Sequence, residues 1–310
     1  MTSKKVLVVF GSTGNQGGSV INTVLSHSEL ASRYTLRGIT RNASSSKSQA
    51  LASKGVEMVT ADVNDPSTLG AAVKGAYGVF AVTDFWSIFS KDAETAQGKA
   101  IVDASKAAGV KHLVWSGAPN VAKLSGGKYT HVDHFDGKAA VDEYAAANKD
   151  DMIVSHYWPA MFFESLKQAV QKDGDGNFSL SIPFPNPNSA LPLISPTRDT
   201  GKFVIGLFEA GDKADGVRVQ GTSEWTTVNK LTEKLREKTG KEVTLNLIDV
   251  GTYKSFLPEM VQEDLGEMMQ WIGESEYYGK GTKEDQAESD KFLLEGSTLT
   301  SWEEFVGAEF

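Results

Sequence analysis

Cysteine is absent from the 310 residues of the sequence. Its absence excludes disulfide bonds, cysteine-ligated zinc, thiol catalysis and cysteine redox sensing. Long apolar runs are lacking too, since no stretch approaches the 18 or more apolar residues of a membrane helix. The apolar run at residues 6–10 is shorter than the roughly 7 to 15 apolar residues of a secretory signal. We therefore expect a cytoplasmic protein, with the nucleus as a second compartment, and no membrane partner.

Positive charge is scarce. Lysine and arginine total 31 against 40 aspartates and glutamates, which leaves a net charge of −9. Such a balance repels nucleic acid and anionic membrane surfaces, so no direct nucleic-acid contact is expected. The composition, with 40% hydrophobic and 23% charged residues, is typical of a globular protein. The length suits one large domain or two unequal lobes.

Short β-branched runs alternate with helical stretches in the first half of the chain. The strand candidates are residues 6–10, 35–40, 56–60, 79–83, 112–116 and 152–157. The helix candidates between them are residues 16–25, 46–54, 66–74, 93–108 and 135–147. Several strands are continuously apolar, which is typical of parallel strands covered by helices on both faces. The pattern predicts a doubly wound parallel sheet, an α/β Rossmann fold, over residues 1–157.

The rhythm changes beyond residue 157. Five of the nine prolines fall in one segment, which predicts an irregular arm and neither a helix interior nor a central strand: Pro183, Pro185, Pro187, Pro192 and Pro196. Amphipathic stretches at 200–208, 227–239 and 258–272 predict a smaller C-terminal α+β lobe of residues 158–310, with an interleaved boundary. Met268, Met269 and Trp271 either line a substrate pocket or, as we favour, belong to the core of that lobe.

The strongest chemical signal is a glycine-rich turn between the first strand and the first helix. Gly11, Gly14 and Gly17 have the spacing of a dinucleotide-binding turn, where missing side chains allow a tight turn and close approach of a pyrophosphate. A glycine turn without a ligand is the weaker alternative.

The end of the second strand indicates which dinucleotide binds. NAD-binding folds place an acid there, about 20 residues past the glycines. Between Gly17 and Glu57 the only acid is Glu29, which precedes the strand, and the strand ends instead with Arg41 and Asn42 followed by serines. A guanidinium and hydroxyls suit a 2′-phosphate, so NADP(H) is favoured. Arg41 as an ordinary solvated charge is the alternative.

Several stretches together resemble the NmrA-like family of atypical short-chain dehydrogenases. They are the glycine turn at 11–20, the strand end at 40–42, and residues 97–99, 116–117, 134–138, 159 and 163–165. The likeness runs over nearly the whole chain and is greatest to an NADP-binding redox sensor of that family. It implies a Rossmann lobe that binds NADP(H), a small C-terminal lobe, and regulatory binding more often than turnover. A transcription factor is the kind of protein partner it implies, and a homodimer is left open.

The resemblance also implies cofactor contacts, residue by residue. They are Gly11, Ser12, Thr13, Gly14, Asn15, Gln16, Arg41, Asn42, Asp62, Val63, Thr83, Lys138, Phe162, Phe163, Glu164 and Ser165. Asp84, Phe85 and Trp86 follow the fourth strand, where this fold places the nicotinamide-side ribose. A core position is the alternative for both aromatics, and for Trp86 it is an equal one.

Active short-chain dehydrogenases carry Tyr-x-x-x-Lys after the fifth strand and a serine at its end. Here Ser116 and Lys138 occupy the serine and lysine positions, but His134 replaces the tyrosine. The three are the catalytic candidates, with His134 moving a proton, or Lys138 acting as a base. A structural His134 that bonds backbone is an equal alternative, and Tyr129 is a weak substitute donor.

His131, His134 and Asp136 also resemble part of a metal site. A further ligand has no clear candidate and Lys138 would repel the cation, so no metal is predicted.

The sequence therefore predicts an NADP(H)-binding regulator or redox sensor with little turnover. The alternative is an NADPH-dependent reductase of a small quinone, enone or carbonyl compound.

Overall fold

The structure is a computed structural model that describes residues 3–184 and 186–310. Its strands are β1 Lys5–Val9, β2 Tyr34–Thr40, β3 Glu57–Thr60, β4 Gly78–Ala81, β5 His112–Ser116, β6 Ile153–Pro159, β7 Met161–Phe162, β8 Val170–Lys172, β9 Phe178–Ile182, β10 Leu191–Ile194, β11 Arg218–Gly221, β12 Glu224–Thr226 and β13 Val243–Leu247. Its α-helices are α1 Asn15–Ser26, α2 Ser28–Arg33, α3 Ser46–Ala52, α4 Leu69–Val73, α5 Lys91–Ala107, α6 Val121–Leu124, α7 Asp133–Asn148, α8 Phe163–Ala169, α9 Pro196–Ala210, α10 Val228–Thr239, α11 Val250–Ser255, α12 Gln262–Ser275, α13 Gln286–Asp290 and α14 Trp302–Glu309.

A seven-stranded parallel sheet forms the centre of the molecule, in the order β11-β6-β5-β4-β1-β2-β3. Successive side chains of β1 point to opposite faces of the sheet, so alternate residues pack into two separate hydrophobic cores. Leu7 and Val9 pack with apolar residues of α1 and α9, whereas Val8 packs with those of α4, α5 and α7. The sheet is therefore covered by helices on both faces, which confirms the predicted doubly wound Rossmann fold.

The sheet has one strand more than the six that the sequence predicts. The additional strand, β11, pairs in parallel with β6, with Val219 opposite Tyr157. Only one of its four residues, Val219, has an apolar side chain. The segment therefore shows neither a continuous apolar run nor an alternation of apolar and polar residues that would predict a strand. Together with α9, which packs on α1, it brings the chain back to the sheet after residue 157. Residues on both sides of the predicted boundary thus build the central sheet.

The proline-rich segment is more regular than predicted. Pro192 lies in β10, the middle strand of a three-stranded sheet in the order β12-β10-β7. Pairing with β7 starts only at Leu193, so Pro192 has a neighbouring strand, β12, on one side only. A strand position with one open side tolerates proline, which has no backbone N–H to donate. Pro196 begins α9 at a position where proline is favoured. Pro185 lies outside the described residues.

The C-terminal region also contains a second small sheet and further helices. A second small sheet, β13-β9-β8, is flanked by α10, and α14 begins with a capping box between Ser301 and Glu304. The mixed small sheets and helices confirm the predicted α+β character of this region. Among the helices of the described ranges, none combines the length and apolar character needed to cross a bilayer.

Candidate active site

A cavity of about 1540 Å³ runs from the glycine turn to the helices of the C-terminal region. Its volume exceeds the 300 to 1,000 Å³ or so that is usual for one small ligand. The residues predicted as site residues that line it are Gly11, Thr13, Gly14, Asn15, Gln16, Arg41, Asn42, Val63, Thr83, Asp84, Phe85, His134, Lys138, Phe162 and Ser165. The fold thus gathers side chains from the ends of β1, β2 and β4 and from α7 at one place, where open α/β sheets bind ligands.

The glycine turn is shaped for a close approach of backbone to ligand. Gly11 has a φ of +62°, a conformation that glycine adopts without strain. A Cβ on Gly17 would lie 2.3 Å from the carbonyl oxygen of Gly11, so only glycine lets α1 sit this close to the turn. The twelve-residue α1 begins at Asn15, which lines the cavity, and its N-terminus is favourable for a phosphate. The residues present therefore fit a dinucleotide pyrophosphate.

Arg41 lies exposed at the cavity edge where β2 ends. Among the described residues it has no ion-pair partner, whereas the neighbouring Asn42 side chain is engaged, accepting hydrogen bonds from the backbone N–H of Ser44 at 2.9 Å and its hydroxyl at 2.7 Å. Ser45 caps α3 by accepting from the N–H of Ser48. The serines thus shape the loop, and Arg41 is the cation that this loop presents to the cavity.

Within the part of the chain that the structure describes, five of the residues predicted for the site do not line the cavity. They are Ser12, Asp62, Ser116, Phe163 and Glu164. The buried hydroxyl of Ser116 donates to Gln16 Oε1 at 2.7 Å, so Gln16 is the side chain that meets the cavity. Ser116 can therefore affect a bound molecule only through Gln16.

The side chains of the other four residues contact other parts of the protein. The Ser12 hydroxyl donates to the carbonyl of Ile39 at 2.7 Å, and Asp62 accepts from the backbone and side chain of Asn64, which does line the cavity. The ring of Phe163 is buried against Trp302 and Phe305. Glu164 accepts from Thr197 at 3.3 Å.

His134 is held by a carboxylate from the C-terminal region. Its Nδ1 is hydrogen-bonded to Asp264 Oδ1, and its backbone N–H donates to Asp264 Oδ2 at 3.1 Å. Asp264 lies on α12, and its side chain is only 9% exposed. The ring of His134 lies 5.0 Å from that of Trp86 and 4.7 Å from that of Phe135, measured between centroids. Because Asp264 takes Nδ1, Nε2 is the ring nitrogen without a hydrogen-bond partner among the described residues.

Lys138 is also paired with a buried acid. Its Nζ contacts Oε1 of Glu94, a residue of α5 that is fully buried, and the same oxygen accepts from the Thr83 hydroxyl at 2.8 Å. Trp115 Nε1 donates to the carbonyl of Lys138 at 3.1 Å. Lys138 and Thr83 are therefore fixed at the cavity wall by a single buried carboxylate.

Further acids of α12 hold the loop before α7. Glu267 accepts from both the backbone N–H and the Nδ1 of His131, each at 2.8 Å, and Glu274 pairs with Lys128 at 2.6 Å. His131 and His134 thus have different carboxylate partners instead of a shared ligand. In residues 3–184 and 186–310, no group of three potential ligands converges as a metal site would require.

The far end of the cavity is apolar. Met268 and Met269 of α12 line it together with Phe256 and Leu257, which follow α11. Of Met268, Met269 and Trp271, which were predicted as core residues, only Trp271 does not line the cavity. Trp271 is buried, and its Nε1 donates to a backbone carbonyl at 3.2 Å. The other aromatics and apolar side chains at this end include Phe85, Trp86, Phe135, Met161, Tyr253, Val261, Leu265 and Tyr277. Trp86 is 45% exposed, so it forms part of the cavity mouth and not of the core.

The sequence matches the profile of the NmrA-like family over residues 3–306. The chain belongs to the NmrA-like family. One relative, the NmrA-like family domain-containing oxidoreductase malD of Malbranchea aurantiaca, is 31% identical over 254 residues, which cover 78% of this chain and 75% of the relative.

Solved structures of NmrA-like and related proteins have the same fold. NmrA, a negative transcriptional regulator, in complex with NADP is 19% identical, with a TM-score of 0.83 and coverage of 100% of this chain and 96% of that chain. The triphenylmethane reductase of Citrobacter sp. complexed with NADP(H) is 20% identical, with a TM-score of 0.74 and coverage of 99% and 100%. At these identities the likeness concerns the fold.

Two residues of this NmrA-like site were not predicted, Glu94 and Asp264. Each lies on the inward face of an amphipathic helix, Glu94 with Gln97 and Ile101 on α5, and Asp264 with Trp271 on α12. An acid at a position that helical periodicity assigns to the core is the signal that would have found them, because buried carboxylates require a partner.

Proposed function

We propose that this NmrA-like chain binds NADP(H) and reduces a small, largely apolar carbonyl compound such as a quinone or enone. The observation that carries the proposal is the continuity of one cavity. It joins the glycine turn and Arg41 to an apolar chamber that contains the imidazole of His134. A site for a dinucleotide alone would not need that second chamber.

The residues of the dinucleotide end fit the two ends of NADP(H). The glycine turn and the start of α1 would take the pyrophosphate, and Arg41 the 2′-phosphate. Lys138 and Thr83 line the same cavity nearer to His134, as expected for groups beside the nicotinamide ribose. Structures of NmrA and of triphenylmethane reductase with NADP(H) support this assignment.

The apolar chamber indicates the substrate class. When bound, NADPH supplies a hydride, and the acceptor then requires one proton. The chamber presents thioether and aromatic side chains such as Met268, Met269 and Trp86, which favour a flat apolar molecule over a charged one. His134 is the polar group at the position that catalytic tyrosine has in active relatives, and imidazole exchanges protons near neutral pH. The similarity to malD, which is called an oxidoreductase, supports turnover.

A regulator or redox sensor is the second candidate. The replacement of tyrosine by His134 favours it, and so does the similarity in fold to NmrA, a negative transcriptional regulator. A transcription-factor partner, a homodimer and the likeness to a redox sensor stay predictions. This function needs the dinucleotide end of the cavity but not the apolar chamber.

The two candidates differ in whether NADPH is consumed. NADPH absorbance should fall when naphthoquinones, benzoquinones or aryl enones are added, with turnover of at least about 1 s⁻¹, the lower end of the usual enzyme range. Met268→Asp places a charge in the apolar chamber and should raise KM for the acceptor while leaving NADPH affinity unchanged. Tight NADPH binding with no consumption by any acceptor would favour the sensor.

A further inference from the structure

We propose that Asp264 is a positioning residue that keeps a proton on Nδ1 of His134, so that Nε2 is the atom that exchanges a proton with the substrate. The inference rests on the proposed reductase function and extends it by naming the residue and the atom that set the proton transfer.

The geometry around Asp264 carries this inference. Both oxygens of its carboxylate are used by one residue, Oδ1 by the Nδ1 of His134 and Oδ2 by its backbone N–H at 3.1 Å. The side chains are 12% and 9% exposed for His134 and Asp264, so water competes little for the contact. A two-point contact fixes both the position of the backbone and the rotation of the ring.

A carboxylate at Nδ1 decides the tautomer of a neutral imidazole. An ionised carboxylate only accepts hydrogen bonds, so Nδ1 must carry the hydrogen and Nε2 must carry the lone pair. In the imidazolium form, Nε2 carries a hydrogen as well. The ring borders the cavity, and in the described part of the chain no hydrogen bond engages Nε2. Nε2 is therefore the nitrogen that is available to a bound molecule.

His134 would donate its Nε2 proton to the oxygen of the acceptor. Bound NADPH would supply the hydride together with both electrons of its broken C4–H bond. The acceptor carbon would gain a C–H bond, and the π electrons of the carbonyl would move to oxygen. The imidazolium releases the Nε2 proton to that oxygen, its N–H electron pair stays on the ring, and an O–H bond forms. The neutral ring, held with its Nδ1 hydrogen on Asp264, then regains a proton on Nε2 from solvent.

Other side chains at the cavity are less suited to donate this proton. The Lys138 ammonium is bound by Glu94. Burial raises the pKa of the Tyr277 phenol and that of the Tyr253 phenol, which makes both weaker acids.

Asp264→Asn tests the inference. The asparagine oxygen can still accept from the His134 backbone, whereas its NH₂ would donate to Nδ1 and force the hydrogen of a neutral ring onto Nε2. Nitrogen-15 NMR of the histidine rings at pH 8, without dinucleotide, should show the Nδ1–H tautomer for His134 in the native chain and the Nε2–H tautomer in the variant. His134→Gln assigns the signal.

Kinetics provide the second readout. Asp264→Asn should lower kcat by about 10²- to 10⁴-fold, the range of a positioned general acid, with little change in NADPH affinity. Glu267→Gln is the matched control, because it removes an acid one turn along α12 that contacts His131, and its kcat should stay near the native value.

The outcomes separate this inference from the proposed function. A native His134 with its proton on Nε2, or an Asp264→Asn variant with native kcat, would overturn the role of Asp264. Absence of turnover with every acceptor would overturn the reductase, and with it any transfer from Nε2, whereas the NMR tautomer would still report whether Asp264 sets the hydrogen position.

Discussion

At the residue scale, we propose that Arg41 sets dinucleotide choice. It faces the cavity at the end of β2, and no acid stands at this strand end to bond a ribose hydroxyl. A charge-assisted hydrogen bond is worth about 1.5 to 3 kcal/mol, which corresponds to roughly ten- to a hundredfold in affinity. Arg41→Ala should therefore weaken NADP binding by that factor and leave NAD binding nearly unchanged, as measured by calorimetric titration.

Lys47→Ala is the control for Arg41. Lys47 is an exposed cation six residues further on that does not belong to the cavity lining in the described part of the chain. It should alter the affinity of either dinucleotide by little, and less still at high salt. Equal binding of NAD and NADP by the native chain would contradict the role of Arg41.

The sequence was informative for residues whose function depends on local geometry. The glycine turn, Arg41 and the four-residue spacing of His134 and Lys138 could be recognised because each lies within one short segment. The acids that hold them could not. Asp264 is 130 positions from His134, and Glu94 is 44 from Lys138, so their pairing depends on how α12 and α5 pack against α7.

At the element scale, α12 joins the C-terminal region to the loop before α7. The hydrogen bond to Glu267 raises the pKa of His131 above its ordinary value of about 6.5. The His131–Glu267 pair therefore makes its full contribution to the free energy of unfolding below the unfolded-state pKa of His131. This contribution is lost as pH rises through the folded-state pKa. Because His131 is exposed, this contribution is small.

Glu267→Gln should lower the pKa of His131 toward its ordinary value, because the neutral amide does not favour the imidazolium. The measurement is a proton NMR titration of the His131 ring. Glu274 lies on the same helix as Glu267 but pairs with Lys128. Glu274→Gln should therefore leave the titration midpoint of His131 unchanged. An unchanged midpoint in Glu267→Gln would show that the two residues do not pair in solution.

Element prediction succeeded where hydrophobic patterns are local and failed where tertiary context decides. Continuous apolar runs gave six parallel strands, all of which occur. The strand β11 was missed because Arg218 and Gln220 conceal its one apolar residue, and β10 was excluded because of Pro192. The structure accepts Pro192 since its neighbouring strand β7 is short, a feature that no local signal reveals.

At the scale of the whole molecule, His112 links sheet stability to pH. It is fully buried on β5, with Nε2 2.8 Å from the Ser155 hydroxyl and its ring against Phe208 of α9. Burial lowers its pKa to about 4. Between pH 6.5 and about 4 the unfolded chain therefore binds a proton that the folded chain does not, so stability decreases as pH falls through this window. At 1.36 kcal/mol per pH unit the full effect is about 3 kcal/mol.

His112→Gln removes this titration and keeps a side-chain amide to reach Ser155. Urea denaturation at pH 7.5 and at pH 4.5 should show a larger loss of unfolding free energy in the native chain than in the variant, by about 2 to 3 kcal/mol. All other titrating groups are common to both chains, so their effects cancel in the comparison. Equal losses would mean that His112 titrates normally.

For the whole molecule, we propose a reductase in which the glycine turn of the sheet and the apolar chamber lined by α12 serve one reaction. The most direct measurement is transfer of deuterium from NADPH labelled at C4 of the nicotinamide to an aryl enone, followed by mass spectrometry of the product. The account predicts deuterium on carbon in the product when one of the two C4 positions is labelled, and in Asp264→Asn the same label in product that forms about 10²- to 10⁴-fold more slowly. Tight binding of NADPH without any deuterium in the product would contradict it.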